Sequence, residues 1–201
     1  MNFEKIKKNL EKNGFKVSCF ENSKQAVEYL DRQIDGKTVG MGGSVTLDQI
    51  GLYDSLCTHN DVNWHQRKPS DKTAEQVIYD ARQSQIYISS VNGIAESGEI
   101  IIIDGRCNRV SAVFYGAEKV YLVVGINKIA ADYDAALWRA RNIAAPLNAK
   151  RLGRNTPCAK NADRCYNCSS PERICRGLTV LWKKPTGAEY EVVLINEKLG
   201  Y

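Results

Sequence analysis

Long apolar runs are absent from this sequence: nothing approaches the roughly 20 consecutive apolar residues that cross a bilayer, so a helical membrane protein is excluded. Histidine is scarce. His59 and His65 are the only two. They stand six positions apart with no carboxylate pair in a recognised metal spacing, and read as surface or core residues rather than ligands. No lysine follows Gly42-Gly43 as a Walker loop requires, and the GxGxxG dinucleotide fingerprint is missing. There is no linker-like stretch and no internal repeat, so residues 1–201 are expected to fold as one domain. The start, Met1-Asn2-Phe3-Glu4-Lys5, opens a charged amphipathic segment rather than a signal peptide, which points to the cytoplasm. In that compartment the seven cysteines are expected to be thiols or metal ligands rather than disulfides.

Charge is present but unevenly spread. Of the net +5, the stretch from Leu137 to Lys184 carries +9, with eleven Lys/Arg against two acidic residues, leaving −4 for the rest. A local basic patch suits a phosphate-bearing ligand, an acidic partner, nucleic acid or the counter-charge of a metal–thiolate centre. Nucleic acid fits least, since the remainder is acidic and carries no recognition motif. A solvated helix face explains any one of these arginines equally well.

Periodicity alternates between helix and strand, the pattern of an α/β fold. Phe3, Ile6 and Leu10 share a helical face that Asn13-Gly14 should stop. Lys37–Ile50 reads as strand, glycine turn and helix. Gly42 and Gly43 clear space before a helix N-terminus, a natural seat for a phosphate or carboxylate, and Ser44 is a candidate N-cap. The segment Ser89–Gly98 sits between Ile86-Tyr87-Ile88 and Ile100–Ile103 and is expected to line a crevice at strand tips. There Asn92, Gly93 and Gly98 would admit a ligand, and Glu96 would supply a carboxylate. Val120–Val124 is apolar on both faces, as in a buried parallel strand. Asn127 and Lys128 follow it, so Lys128 either faces the same crevice or is a solvated loop residue. In the next helix Tyr133, Leu137, Ala140 and Ile143 form the apolar set, Arg139 falls outside it, and Pro146 should kink or end it. Leu178–Trp182, a Pro185-Thr186-Gly187 turn and Tyr190–Ile195 read as an antiparallel hairpin.

Four cysteines, Cys158, Cys165, Cys168 and Cys175, fall within eighteen residues at spacing C-x6-C-x2-C-x6-C, in an insertion of about residues 154–176 with few apolar residues. A loop with so little to bury gains order if four thiolates share a metal centre. An iron–sulfur cluster, zinc and free thiols all remain open, because the spacing matches neither a bacterial ferredoxin run nor a paired zinc ribbon. Cys19, Cys57 and Cys107 are scattered and read as ordinary thiols.

Several motifs taken in order resemble the LUD family, the lactate-utilization proteins related to lactate-utilization protein C. They are Gly42-Gly43-Ser44-x-Thr46, Asn92 to Gly98, Asn108-Arg109-Val110 and Val124-Gly125-x-Asn127-Lys128, then Arg141-x-x-Ala144-Ala145-Pro146-x-Asn148-Ala149 and Pro157-Cys158 to Arg173-Ile174-Cys175. The resemblance runs from about residue 37 to Glu197-Lys198-Leu199-Gly200. It implies the three-layer α/β sheet shared with ribose-phosphate isomerase and CoA transferases, and a role beside iron–sulfur partner proteins in oxidising L-lactate to pyruvate. Glu96 is similar in placement to the nucleophilic glutamate of CoA transferases, although its surroundings differ.

The expectation is therefore a cytoplasmic, redox-associated protein. Ser44, Thr46 and backbone N–H groups would hold a small anion, Lys128 and Arg109 would neutralise it, and the four cysteines would carry an iron–sulfur cluster or zinc. The alternative is an isomerase or transferase acting on a sugar phosphate or acyl-CoA, with Glu96 as base or nucleophile.

Overall fold

The computed structural model describes residues 3–201; Met1 and Asn2, where the amphipathic segment was expected to begin, lie outside the described residues. The chain opens with α1 (Glu4–Lys12), β1 (Lys16–Phe20), α2 (Ser23–Gln33) and β2 (Thr38–Met41). Gly14, at φ +88°, makes the turn after α1. Asn22 caps α2, accepting from the Gln25 N–H. Next come α3 (Val45–Gln49), α4 (Leu52–Leu56), β3 (Asp61–Asn63) and α5 (Ala74–Arg82). Thr73 and Gln76 form a capping box at the start of α5. The middle of the chain supplies β4 (Ile86–Ser90), β5 (Gly93–Ala95), β6 (Ile100–Asp104), α6 (Asn108–Phe114), β7 (Lys119–Gly125) and β8 (Ile129–Ala130). It ends with α7 (Tyr133–Arg139), α8 (Ala145–Arg151), α9 (Pro157–Asn161), β9 (Gly177–Leu181) and β10 (Glu189–Ile195).

Six strands form a parallel sheet in the order β1-β10-β7-β4-β2-β3, and four form a second sheet in the order β8-β5-β6-β9. The central sheet is buried on both sides, which is why its strands read as continuous apolar runs. On one face Leu30, Leu47, Leu52 and Leu56 from α2, α3 and α4 pack against Met41, Ile88, Val123 and Ile195. On the other face Ile6 and Leu10 of α1 and Val113 of α6 share a core with Leu122, Leu194 and the inner residues Ile100 and Ile102 of the second sheet. The outer face of that second sheet, Ile101 and Ile103, is covered by Ala136 and Ala140.

The expected C-terminal hairpin is not formed. β9 pairs antiparallel with β6 in the second sheet, whereas β10 enters the central sheet and runs parallel to both β1 and β7. Burial explains the split. Tyr190–Ile195 is buried throughout and fits only an interior strand, while β9 is partly exposed and takes an edge. Pro146 does not end its helix either. A π-helical turn at 140–144 joins α7 to α8, and its wider backbone accommodates the ring and the missing N–H.

Candidate functional site

At the carboxyl ends of β2, β4 and β7 the chain leaves the central sheet around a cavity of about 750 Å³. Three loops build its floor. The Gly43-Ser44 turn enters α3, where the Ser44 hydroxyl caps the helix by accepting from the Leu47 N–H. The Ser44 N–H is already taken by Gln66 Oε1 at 2.6 Å, which narrows the anion seat expected there. Gly43 lies against the His65 ring: a Cβ on it would approach the imidazole to 3.2 Å. Gly42 sits behind, its carbonyl accepting from the buried Trp64 indole at 3.1 Å.

Lys128 lies beneath this floor and is only 4% exposed. Its ammonium donates to Thr46 Oγ1 (2.8 Å), Ser90 Oγ (2.9 Å) and the Val91 carbonyl (3.1 Å). Both hydroxyls send their own hydrogens elsewhere, Ser90 to the Val123 carbonyl and Thr46 to that of Leu199, so their lone pairs face the lysine. The hydrogen bonds therefore suit the charged form. Burial opposes it, and together with the charges of Arg139 and Arg109 pushes the Lys128 pKa down to about 7.

Two arginines tie the loops together. Arg109 donates to Asn92 Oδ1 at 3.1 Å and to the Ile103 carbonyl at 2.6 Å. Arg139 reaches the carbonyls of Asn127 (2.7 Å) and Asn92 (2.6 Å), and burial pushes its pKa down to about 10. Among the described residues no ion pair within 4.0 Å involves Lys128, Arg109 or Arg139. Asp104 does act electrostatically on Arg109, but its oxygens accept from the backbone N–H groups of Arg106 and Val110. Burial, then Arg106, holds His65 below the usual histidine range, so the imidazole lining the cleft is neutral near pH 7.

Of the residues expected from sequence, Gly43, Ser44, Thr46, Asn92, Arg109 and Lys128 meet in this one cleft. Others serve the fold around it. Gly93 lets the α7 backbone approach, since a Cβ there would come within 2.6 Å of the Ala136 carbonyl; Gly98, at φ +108°, turns the β5–β6 connection against Asn13. Asn127 clasps the last residues of the chain, accepting from the Leu199 N–H at 2.9 Å and donating to the Gly200 carbonyl at 3.2 Å. Glu96 does not line the cleft; it sits in the β5–β6 turn and pairs with Lys5 of α1 at 2.5 Å. The sequence reading missed His65, Gln66, Ser90 and Arg139. For the first two, only their position after the short β3 strand, beside the glycine turn, could have hinted at it.

The cysteine arm borders the same cleft through Glu172, Arg173 and Ile174. Arg173 donates to Cys175 Sγ at 3.2 Å and to the Cys168 carbonyl at 2.9 Å; Thr156 Oγ1 lies 3.3 Å from Cys158 Sγ, and the Asn167 N–H donates to Cys165 Sγ at 3.3 Å. Four soft thiols suit iron–sulfur or zinc by donor type. Their arrangement does not, because among the described residues no three Cys, His, Asp or Glu side chains are grouped so as to hold an ion. Nor is any helix of the described residues long and apolar enough to cross a membrane.

A mostly parallel central sheet flanked by helices, with a cationic cleft at its carboxyl edge, defines a mixed α/β protein. The LUD domain profile matches residues 3–195, and the chain belongs to that family. Among solved structures it is similar to a DUF162 family protein from Deinococcus radiodurans, 12% identical, over 97% of this chain and 99% of that one with a TM-score of 0.53, a likeness of fold alone. Similarity to eIF2B beta from Chaetomium thermophilum is slighter, 14% identical over 66% of this chain and 44% of the other at a TM-score of 0.33. No curated protein matches.

Proposed function

We propose that this LUD-family protein has a lactate-utilization-related role in which the strand-tip cleft binds a small anion such as a 2-hydroxy or 2-oxo acid. One observation carries the reading: Lys128 is buried beside Arg109 and Arg139, and among the described residues none of the three forms an ion pair within 4.0 Å. Burying positive charge without a partner costs stability, so a site that keeps it must recover that cost when an anion enters. In this reading Lys128 and Arg109 supply the charge, Ser44 and Asn92 orient the carboxylate, and Thr46 holds the Lys128 ammonium in place. The resemblance to the ribose-phosphate isomerase and CoA-transferase sheet belongs to the same proposal, supported by the position of the cleft at the carboxyl ends of the parallel strands.

Calorimetric titration of the full chain with L-lactate, pyruvate and inorganic phosphate tests this. The expected result is binding that weakens as salt is raised; failure of all three anions to bind at low salt would remove the proposal.

The cysteine arm supports a separate proposal, an iron–sulfur cluster with zinc as the alternative and iron–sulfur proteins as redox partners. Its support is the donor type alone, four soft thiols within eighteen residues, set against thiols that this structure does not gather around one point, and no step at the cleft is routed through it. Protein purified without oxygen should be brown and contain iron. A colourless protein with one zinc per chain would leave only the structural role, and a metal-free one would end both.

A further inference from the structure

The cleft is larger and more positive than a three-carbon acid requires. Its volume of about 750 Å³ lies in the range of about 300–1,000 Å³ that encloses drug-sized ligands. Apart from Arg106, which pairs with Glu75, and Arg173, which is held by Cys175 and Cys168, the cations lining it form two groups. Lys128 and Arg109 belong to the floor just described. Arg151 at the end of α8, Arg154 beyond it and Arg176 at the end of the cysteine arm are exposed and form a rim.

Among the described residues none of these three arginines forms an ion pair within 4.0 Å. Arg151 holds Asn148 Oδ1 at 2.8 Å and Arg176 the Pro171 carbonyl at 2.6 Å, both neutral partners. Arg154 has no side-chain hydrogen bond or ion pair among the described residues. Of the acidic side chains in the lining, Glu172 accepts from the Asn155 N–H at 3.0 Å and Asp104 from the backbone N–H groups of Arg106 and Val110. Apolar side chains, Val91, Ile103, Leu152 and Ile174, share the lining with these charges.

We propose that the ligand of this cleft is an organic phosphate: one anionic group rests over Lys128 and Arg109, the carbon skeleton lies along the apolar lining, and the phosphate is gripped by the rim arginines. Guanidinium forks match phosphate oxygens in geometry as well as charge. The proposal rests on the reading of the cleft as an anion site and adds to it a second, separated anion.

Two phosphorylated probes, 3-phosphoglycerate and ADP, are titrated against the full chain beside L-lactate and inorganic phosphate. At least one of them should bind about tenfold or more tighter than either small anion, a gain of about 1.4 kcal/mol. Arg154→Glu combined with Arg151→Ala should erase that advantage while the small anions keep their affinity within about threefold. An unchanged melting temperature would show that the variant is folded. If L-lactate or phosphate binds but neither probe binds tighter, or if the rim variant leaves the probes unaffected, the organic-phosphate assignment is overturned and the floor site stands. If nothing binds, both fall together.

Discussion

The two ends of the central sheet treat buried charge in opposite ways. At the amino end Glu191 is fully buried, yet it is surrounded by partners: Ser18 Oγ at 2.7 Å, the Tyr29 hydroxyl at 2.6 Å, and the ammonium groups of Lys16 at 3.1 Å and Lys119 at 3.3 Å. At the carboxyl end Lys128 is equally enclosed but touches only hydroxyls and a carbonyl. A charge matched on site has finished its work when the chain folds. One left unmatched is a cost to the fold, which in the proposed reading an incoming anion offsets.

Removing the matched charge should have the largest effect. Glu191→Gln leaves two lysines facing a neutral amide and should cost about 3 kcal/mol, the low end for breaking a buried pair because Lys16 can turn to water. Urea unfolding reads this directly, and anion affinity should not change. Burial pushes the Glu191 carboxyl up, but hydrogen bonds from Tyr29, Ser18 and Lys16, with the charge of Lys119, outweigh it and hold the pKa below the ordinary carboxylate range. Its contribution is thus present above about pH 4.5 and lost as the pH falls through the lowered value. The Gln variant should lack that acid-sensitive part of its stability. If it unfolds at the same urea concentration as the parent, the network contributes nothing and the contrast between the two ends fails.

The unmatched charge should behave in reverse. Lys128→Met should weaken L-lactate or phosphate binding by about 30-fold, roughly 2 kcal/mol for a charge acting out of water, without lowering the melting temperature. A fall in stability together with intact binding would make Lys128 structural. The pH dependence is smaller and has a definite sign. Because the folded pKa is lowered to about 7 from 10.5, the unfolded chain holds more protons between those values, so stability rises with pH across that window. Anion affinity moves the other way, falling by up to about tenfold per pH unit above 7 as the ligand-free lysine loses its proton. Calorimetry at pH 6, 7 and 8 checks this, and the Met variant should show neither trend.

How far the sequence revealed these features depends on whether their cause was local. The Val120–Val124 run and the Gly43-Ser44 entry to α3 were legible, because apolar strands and N-caps are written in consecutive residues. The second sheet was not. Pairing of β6 with β9 joins segments more than seventy residues apart, and the Pro185-Thr186-Gly187 turn gave a hairpin signal although its flanking strands go to different sheets. Lys128 showed only its place after a strand; its burial comes from Thr46, Ser90 and Gly200 closing over it. Arg139 lay outside the apolar set of its helix and is nevertheless buried, because its guanidinium turns toward loop carbonyls. Glu191 looked like any polar residue in a strand.

The smallest effect is expected at Glu96, the residue whose sequence context suggested the most chemistry. Its carboxylate is partly exposed and paired with the exposed end of Lys5, and its backbone carbonyl accepts from Asn9 Nδ2 at 2.7 Å, so the residue fastens the β5–β6 turn to α1. Exposed pairs of this kind contribute about 0–1 kcal/mol. Glu96→Gln should therefore lower stability by less than about 1 kcal/mol and leave anion titrations unchanged, because the carbonyl bond to Asn9 survives and the cleft is lined by other residues. A steep loss of turnover of a sugar phosphate or acyl-CoA in this variant would show instead that the turn leaves α1 and brings its carboxylate to the substrate, and the division of labour between the two ends of the sheet would have to be redrawn.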